Sequence, residues 1–262
     1  MIKAKKSLGQ NFLIDQNIID KITNIVEINN KSILEIGPGT GSLTKSILKK
    51  KPKKLIVIEK DNNLADSLNN VMGSDIKIIN NDILEIDETN LDSDILTVFG
   101  NLPYNISTEI LCKWILNIKD KNFWFDCFVL MFQKEVADRI IAQYNTKSYG
   151  RLSILSNWKL EIKKIFDIKP SSFSPRPKIE SSVLLMKPKF KFFSLTNPKN
   201  LEKITRVFFM HRRKMLKKPF NQLFNGNIEI ANKLQIDLNL RPQNLDIDTY
   251  CRLSEEYETL RG

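Results

Sequence analysis

The chain has 262 residues, of which 42% are hydrophobic and 27% charged, with nine Gly and ten Pro. This composition excludes fibrous and wholly disordered classes, and the length suits one large domain with a small appendage. No apolar run approaches the roughly 20 residues that span a bilayer, and the basic segment 1–10 has no apolar signal-peptide core after it. We therefore expect a cytoplasmic protein without a membrane partner.

Charge and cysteine content limit the binding partners and the kinds of site that we expect. The formal net charge is +11, and residues 187–262 carry 15 Lys and Arg against 8 Asp and Glu. Such an excess favours a polyanionic partner such as nucleic acid, with a solvated surface as the alternative. Because the three cysteines lie far apart and His211 is the single histidine, we expect no metal site and no disulfide framework.

The region 32–99 alternates short apolar runs with segments of helical periodicity, in β-α-β-α order. The run at 55–58 is apolar on both faces, which is typical of parallel strands covered by helices on each side. A helix is predicted from about Ser107, a buried strand over 123–132, and a helical segment over 133–143. The sequence therefore predicts an α/β doubly wound sheet, with ligands bound beyond the carboxyl ends of its strands.

The rest of the chain differs in pattern. Strands are predicted over 159–168 and 181–187, on either side of the loop SSFSPRPKIE, where Pro175 and Pro177 forbid a helix. The segment 187–200 is the best domain boundary, and helices are predicted over 201–216, 228–236 and 248–260. We predict a catalytic domain over 1–187 and a helical RNA-binding domain over 188–262, with Arg212, Arg213 and Lys214 as its densest basic cluster.

The first predicted strand ends in a glycine-rich turn, EIGPGTG at 35–41. Glycines at alternate positions, Gly37, Gly39 and Gly41, let the backbone turn sharply close to a ligand. A dinucleotide fingerprint would need a sixth-position glycine, where this chain has Ser42. The pattern instead resembles motif I of the S-adenosylmethionine-dependent methyltransferases, with another nucleotide site or a tight turn as alternatives.

Acidic residues follow the next two strands. Glu59 comes 22 residues after Gly37, where a carboxylate can accept both ribose hydroxyls of a bound nucleoside. Asp82 follows the third strand and is placed to bond the adenine amino group of the same ligand. A solvated strand-end carboxylate is the alternative for Glu59 alone, but together the glycine turn, Glu59 and Asp82 indicate a site for S-adenosyl-L-methionine.

The fourth strand runs directly into Asn101, Leu102, Pro103 and Tyr104, which resembles motif IV of the amino-methyltransferases. An adenine amine is a poor nucleophile because its lone pair is delocalised into the ring. Acceptors at its two protons, the Asn101 side-chain oxygen and the Leu102 carbonyl, would direct the lone pair at the sulfonium methyl. Positioning of the amine and electrostatic stabilisation would then account for the acceleration of methyl transfer. No general base would be needed before transfer.

Aromatic residues are expected to hold the target base. Tyr104 is predicted to stack on one face, which repays part of the cost of unstacking the base. Phe173, in the proline-rich loop, is the candidate for the opposite face, with a loop aromatic that fills the core as the alternative.

Taken together, the chain resembles the small-subunit rRNA adenine dimethyltransferase family, of the KsgA type, over essentially its whole length. The segments that carry the resemblance are KKSLGQNFL, EIGPGTGSLT, FGNLPYNIST, QKEVADRI with YGRLS, FSPRPKIESSV and FMHRRKMLKK. Met215 departs from the smaller polar residue common in relatives. The resemblance implies a Rossmann-like, seven-stranded class I methyltransferase domain with a small all-helical C-terminal domain.

The resemblance also implies a substrate and cofactor contacts. Two adjacent adenosines in a hairpin loop near the 3′ end of small-subunit rRNA would each receive two methyl groups at N6, on the rRNA or the assembling small subunit. The GQNFL segment would help to cover the cofactor, which assigns Asn11 and Leu13. Gly37, Glu59, Asp82 and Asn101 complete the implied contacts, and a monomer is expected.

Three other functions remain open. A large-subunit rRNA adenine dimethylase of the antibiotic-resistance type would have the same site, although the RRKMLKK and FSPRPKIE segments favour the small-subunit type. A non-catalytic RNA-binding assembly factor would keep the fold, but the intact Asn-Leu-Pro-Tyr motif argues against it. A DNA adenine methyltransferase would be expected to carry a larger sequence-reading domain than the tail provides.

Overall fold

Seven strands form one mixed sheet within the described residues, and the computed structural model describes Lys5 and residues 9–118 and 123–260. The strands of this sheet are β2 (Ser32–Ile36), β3 (Lys54–Ile58), β4 (Lys77–Ile79), β5 (Leu96–Gly100), β6 (Phe125–Gln133), β7 (Leu160–Ile168) and β9 (Ser181–Pro188). Their order across the sheet is β4-β3-β2-β5-β6-β9-β7.

Helices connect and follow the strands. They are α1 (Gln16–Thr23), α2 (Ser42–Lys49), α3 (Asn62–Met72), α4 (Ser107–Asn117), α5 (Lys134–Ile140), α6 (Arg151–Lys159), α7 (Pro198–Met210), α8 (Lys217–Phe224), α9 (Ile228–Lys233) and α10 (Ile247–Thr259). Short 3₁₀ turns occupy Ile83–Glu85, Glu88–Asn90, Pro170–Ser172 and Pro242–Asn244. On one face of the sheet, apolar residues of α1, α2 and α3 join alternate strand residues in a single core cluster.

The parallel half of the sheet is buried along its strands, as the apolar runs predicted. All five residues of β2 and of β5 are buried, which requires cover on both faces. Their register aligns the strand ends, because Ile36 lies opposite both Ile58 and Gly100, and Ile58 lies opposite Ile79. The segments after β2, β3, β4 and β5 therefore leave the sheet along one edge. On the other side of β6, β9 pairs antiparallel.

A short ribbon joins the N-terminal segment to the proline-rich loop. β1 (Phe12–Leu13) pairs antiparallel with β8 (Phe173–Ser174), and the backbone N–H of Ile14 donates to the Ser172 carbonyl at 2.9 Å. The sequence predicted an ordered loop here but no strand, because two-residue strands have no periodicity to detect.

The C-terminal residues from 198 to 259 are helical between turns, but the helix predicted over 201–216 is wrong in its C-terminal part. α7 ends at Met210, residues 211–214 form turns, and α8 starts at Lys217. Pro219 lies in the first turn of α8, a position that tolerates proline, and is compatible with a new helix beginning at Lys217. The basic cluster at 212–214 therefore lies on a turn.

The chain divides into two compact units. The first takes in residues 1–113, 121–137 and 161–188, and the second takes in 114–120, 138–160 and 189–262. The second unit thus includes two segments that precede the predicted boundary at 187/188, and the domain assignment itself stays a prediction. In the part of the chain that the structure describes, no helix has both the length and the apolar character needed to cross a membrane.

Candidate active site

A cavity lies at the carboxyl ends of β2, β3, β4 and β5, where the aligned register brings their following segments together. Most of the predicted site residues line it, as does the N-terminal segment. The lining residues are Gly9, Gln10, Asn11, Phe12, Ile36, Gly37, Gly39, Ile58, Glu59, Lys60, Leu64, Asn81, Asp82, Ile83, Leu84, Asn101, Leu102, Pro103, Tyr104, Asn105 and Ile106. Apolar and hydrogen-bonding groups thus surround one space, as small-molecule sites require.

Of the three predicted glycines, Gly37 and Gly39 line the cavity, whereas Gly41 is needed for helix packing. A Cβ on Gly39, whose φ is +57°, would lie 2.7 Å from a ring carbon of Phe12, so the glycine lets the N-terminal segment approach the turn. Gly41 precedes α2 with φ +80°, and a Cβ there would lie 2.6 Å from the Met72 methyl. Gly41 therefore permits packing of α2 against α3 and lies outside the cavity's described lining.

Glu59 connects the glycine turn to the end of β3. Its Oε2 accepts from the backbone N–H of Gly39 at 3.2 Å, and its Oε1 accepts from that of Asp61 at 2.9 Å. Its exposed fraction is 6%, and burial raises the pKa of this carboxyl, while the backbone donors partly offset that rise. Each carboxylate oxygen keeps a further lone pair for a ligand hydroxyl.

Asp82 caps the 3₁₀ turn that follows β4. Its Oδ1 accepts from the backbone N–H of Leu84 at 3.0 Å, and its Oδ2 lies 2.5 Å from Lys60 Nζ. Burial alone would raise the pKa of Asp82, but the bonds from Lys60 and Leu84 bring it below its ordinary value. Strand-end reasoning missed Lys60, because it singles out one residue after a strand and not its neighbour.

The segment 101–104 leaves β5 and lines the cavity. Asn101 Nδ2 donates to the Asn11 carbonyl at 2.7 Å. The Leu102 side chain is 1% exposed and anchors the segment in the core. The hydroxyl of Tyr104 lies 2.5 Å from Ser181 Oγ.

The N-terminal segment is fixed over the cavity by a buried acid that the sequence analysis did not single out. Asp61, 4% exposed, accepts from Lys5 Nζ at 3.0 Å and from Gln10 Nε2 at 3.2 Å. Asp61 also accepts the backbone N–H of Asn63, which caps α3. Of the two residues assigned here by resemblance, Asn11 lines the cavity and Leu13 is buried in the core cluster beside it.

Phe173 lies outside the described lining of the cavity. Its side chain is 3% exposed and belongs to the core cluster, with its backbone paired to Leu13. This placement favours the alternative, a loop aromatic that fills the core.

A second, smaller cavity adjoins the first beneath the glycine turn, and Glu35 and Asn101 line it. Glu35 is 1% exposed, and burial raises the pKa of its carboxyl to about 8. The sequence pattern did not indicate the burial of Glu35 or its raised pKa, because nothing in the pattern distinguishes this glutamate from an exposed acid at the end of a strand.

The basic cluster divides into one structural and two exposed side chains. Arg212 is half-buried, donates to the Lys147 carbonyl, and has its guanidinium carbon 5.7 Å from the Phe209 ring centre. Arg213 and Lys214 are exposed and line a surface groove. The other described residues of this basic groove are Met215, Lys217, Lys218, Asn221, Asn239 and Arg241.

Comparisons with known proteins agree with this geometry. A ribosomal RNA small subunit methyltransferase A from Pelagibacter ubique (strain HTCC1062) is 66% identical to this chain over 261 residues, covering 100% of it and 99% of the relative. A protein of the same description from Ehrlichia ruminantium (strain Gardel) is 46% identical and covers 97% of each chain.

Solved structures show the same fold. A dimethyladenosine transferase from Plasmodium falciparum has a TM-score of 0.76 at 26% identity, covering 95% of this chain and 98% of that one. The 23S rRNA methyltransferase ErmE has a TM-score of 0.66 at 20% identity, covering 95% and 100%. The expected class I methyltransferase fold is confirmed. Residues 1–259 match the model of one family, and the chain belongs to that family, the ribosomal RNA adenine dimethylases.

Proposed function

We propose that this protein transfers methyl groups from S-adenosylmethionine to the N6 amine of two adjacent adenosines in a hairpin loop near the 3′ end of small-subunit rRNA. The observation that carries the proposal is the meeting of Glu59, Asp82 and the 101–104 segment in one cavity. Both relatives described above bear small-subunit names, which favours that rRNA over the large-subunit alternative.

The cavity's donors and acceptors fit S-adenosylmethionine. Glu59 offers carboxylate oxygens to ribose hydroxyls, and Asp82 offers one to the adenine amine. Ile58 and Ile83 line the space between these acids and suit the faces of an adenine ring. Gly37 and Gly39 bring backbone close to the methionine end, and the bound cofactor would supply an electrophilic methyl group.

Asn101 is the candidate for aligning the target amine. A backbone carbonyl can only accept hydrogen bonds, so the contact with Asn11 fixes the Asn101 NH₂ group on that side. The side-chain oxygen is then directed away and can accept a proton of the adenine amine. The Leu102 carbonyl is the proposed acceptor for the second proton, and an amine held in this way needs little reorganisation before transfer.

Tyr104 is the proposed stacking surface for the base, since it lines the cavity next to Asn101 and Pro103. The buried position of Phe173 leaves the opposite face to another residue or to a rearranged loop, so we do not extend the stacking role to it.

The basic groove is the proposed contact for RNA phosphates. Arg213 and Lys214 line it together with Lys217, Lys218 and Arg241, and the described lining contains no acidic side chain. Lysine and arginine side chains in such a groove neutralise phosphates and release counterions. The contacts of Arg212 within the protein assign it to supporting the turn.

Methylation of purified rRNA tests the function. Small-subunit and large-subunit rRNA, each lacking dimethyladenosine, are incubated with the protein and S-adenosylmethionine, and modified positions are mapped by mass spectrometry. We expect dimethyladenosine at two adjacent positions near the 3′ end of the small-subunit rRNA, in free RNA or in assembling subunits. Modification confined to large-subunit rRNA would overturn the substrate, and binding without any transfer would indicate an assembly factor.

A further inference from the structure

Tyr104 lies on a turn whose backbone contacts do not set the orientation of its ring. The backbone N–H groups of Ile106 and Ser107 both donate to the Pro103 carbonyl, at 3.1 and 2.9 Å. These contacts fix the backbone but not the side-chain torsions of Tyr104. The contact that reaches the far end of the ring is the one between its hydroxyl and Ser181 Oγ, at 2.5 Å.

Ser181 is fixed on both sides. It is the first residue of β9, is fully buried, and lies opposite Gln133 of β6. The preceding residue, Glu180, accepts from the backbone N–H of Lys134 at 2.9 Å. Its carboxylate also pairs with Lys134 Nζ at 2.7 Å.

The residue after Ser181 is held by a second set of charges. Ser182 Oγ donates to Asp167 Oδ1 at 2.6 Å, and Asp167 pairs with Lys164 at 2.8 Å and Lys134 at 3.2 Å. These bonds lower the pKa of Asp167 to about 2, against the rise that burial alone would cause, so the network stays charged at neutral pH. Ser181 is therefore a rigid point of attachment.

We propose that Ser181 is a positioning residue, which holds the Tyr104 ring at the orientation in which it stacks on the target adenine. The inference rests on the proposed stacking role of Tyr104. Burial raises the pKa of the Tyr104 phenol, so this hydroxyl is protonated at neutral pH and can donate to Ser181. Because Ser181 lies outside the described lining of the cofactor cavity, its effect should fall on the methyl-transfer rate and not on cofactor affinity.

A double-mutant cycle tests this role. Single-turnover methylation of rRNA at saturating cofactor is compared for wild type, Ser181→Ala, Tyr104→Phe and the double variant. Loss of one hydrogen bond should slow transfer roughly 2- to 13-fold in either single variant. The double variant should be no slower than the slower single one, because both changes remove the same bond. Ser181→Thr, which keeps a hydroxyl, should recover most of the rate.

Ser32→Ala is the matched control. Ser32 is also buried, begins strand β2, and donates from its hydroxyl to Asp94 at 2.9 Å. This variant should leave the transfer rate within about 2-fold, and cofactor affinity should be unchanged in both serine variants.

The possible results separate the two levels of the proposal. If Tyr104→Ala methylates normally, the stacking role of Tyr104 fails. If Tyr104→Ala is inactive while Ser181→Ala has the wild-type rate, stacking stands and the positioning role is overturned. Additive losses in the double variant would also overturn it, because they would show that Ser181 and Tyr104 act independently.

Discussion

The two atoms at the end of the Asn101 side chain differ in what they can bond. Its NH₂ group donates to the Asn11 carbonyl, so only the oxygen is available to a substrate amine. We predict that Asn101→Ala lowers single-turnover methylation at saturating cofactor by at least ~100-fold, by analogy with loss of one preorganised polar contact. RNA affinity should be retained.

The control is Asn90→Ala, at an exposed asparagine of a 3₁₀ turn, which should methylate as wild type does. Near-normal transfer by Asn101→Ala would remove this residue from catalysis.

Glu59 is expected to contribute to cofactor affinity. We predict that Glu59→Ala weakens binding of S-adenosylmethionine by on the order of 1.5 to 3 kcal/mol, since hydrogen bonds to a charged group are lost. Calorimetric titration measures the change. Glu85→Ala, at a nearby exposed carboxylate outside the described lining, should bind as wild type does. Unchanged affinity in folded Glu59→Ala protein would place the ribose elsewhere.

Glu35 makes stability depend on pH. Its pKa in the folded protein is about 8, against 4.5 for an ordinary glutamate, so the unfolded chain loses this proton at lower pH than the folded one. The contribution of Glu35 is fully present below pH 4.5 and is lost as pH rises through 8. We predict that cofactor-free Glu35→Gln protein is more stable than wild type at pH 8, on the order of a few kcal/mol, with little difference at pH 4.

Thermal unfolding across this pH range checks the Glu35 prediction. The exposed Glu161→Gln variant on β7 should follow the wild-type curve. A Glu35→Gln curve parallel to wild type from pH 4 to 8 would mean that this carboxyl ionises in the folded protein as it does in the unfolded chain.

At the scale of elements, the turn between α7 and α8 presents Arg213 and Lys214 in the basic groove. We predict that Arg213→Glu with Lys214→Glu weakens rRNA binding strongly and makes it less dependent on salt. Each lost phosphate contact should reduce the slope of log binding constant against log salt concentration by roughly 0.7 to 0.9 in magnitude. Affinities measured at several salt concentrations give that slope.

The control carries the same charge change on α7 and α10, at Lys199→Glu with Arg252→Glu, two exposed cations outside the described lining of the groove. We expect it to retain most of the affinity and the wild-type slope. Equal losses in the two variants would point to net charge and not to the groove. Arg212→Ala should instead lower the melting temperature, because Arg212 contacts Lys147 and Phe209.

Elements with a strong local pattern could be predicted from the sequence, and those defined by distant partners could not. The run 55–58 in β3 is apolar on both faces, so its place in a parallel sheet and the acids after β3 and β4 followed directly. β1 and β8 are two residues long, and each is a strand only because it pairs with the other. The sequence does not distinguish Ser181 from the other serines, because its contact with Tyr104 is visible only in the structure. The burial of Phe173 likewise depends on the long-range pairing of β8 with β1.

At the scale of the whole molecule, the proposed cofactor contacts all lie in the first unit. We predict that S-adenosylmethionine slows amide hydrogen exchange in segments 9–13, 37–41, 59–61, 82–84 and 101–106, because a ligand that binds the folded state suppresses local opening. Exchange in residues 198–259 should not change. Mass spectrometry of peptides measures both, and strong protection in the C-terminal helices would show that cofactor binding is coupled to the second unit.

The pairing of β1 with β8 sets an order of events during synthesis. Phe12 lies opposite Ser174, so the strand that carries the N-terminal side of the cavity has no partner until the chain has grown past that residue. A strand of two residues is not stable alone, and chains are made from the N-terminus at about 5 to 20 residues per second. A nascent chain made as far as Asn101 already contains Glu59, Asp82 and Asn101, yet it still lacks β8, the partner of the strand that follows Asn11. We therefore expect the N-terminal side of the cavity to be completed only after roughly two thirds of the polypeptide has been made, since Ser174 is residue 174 of 262.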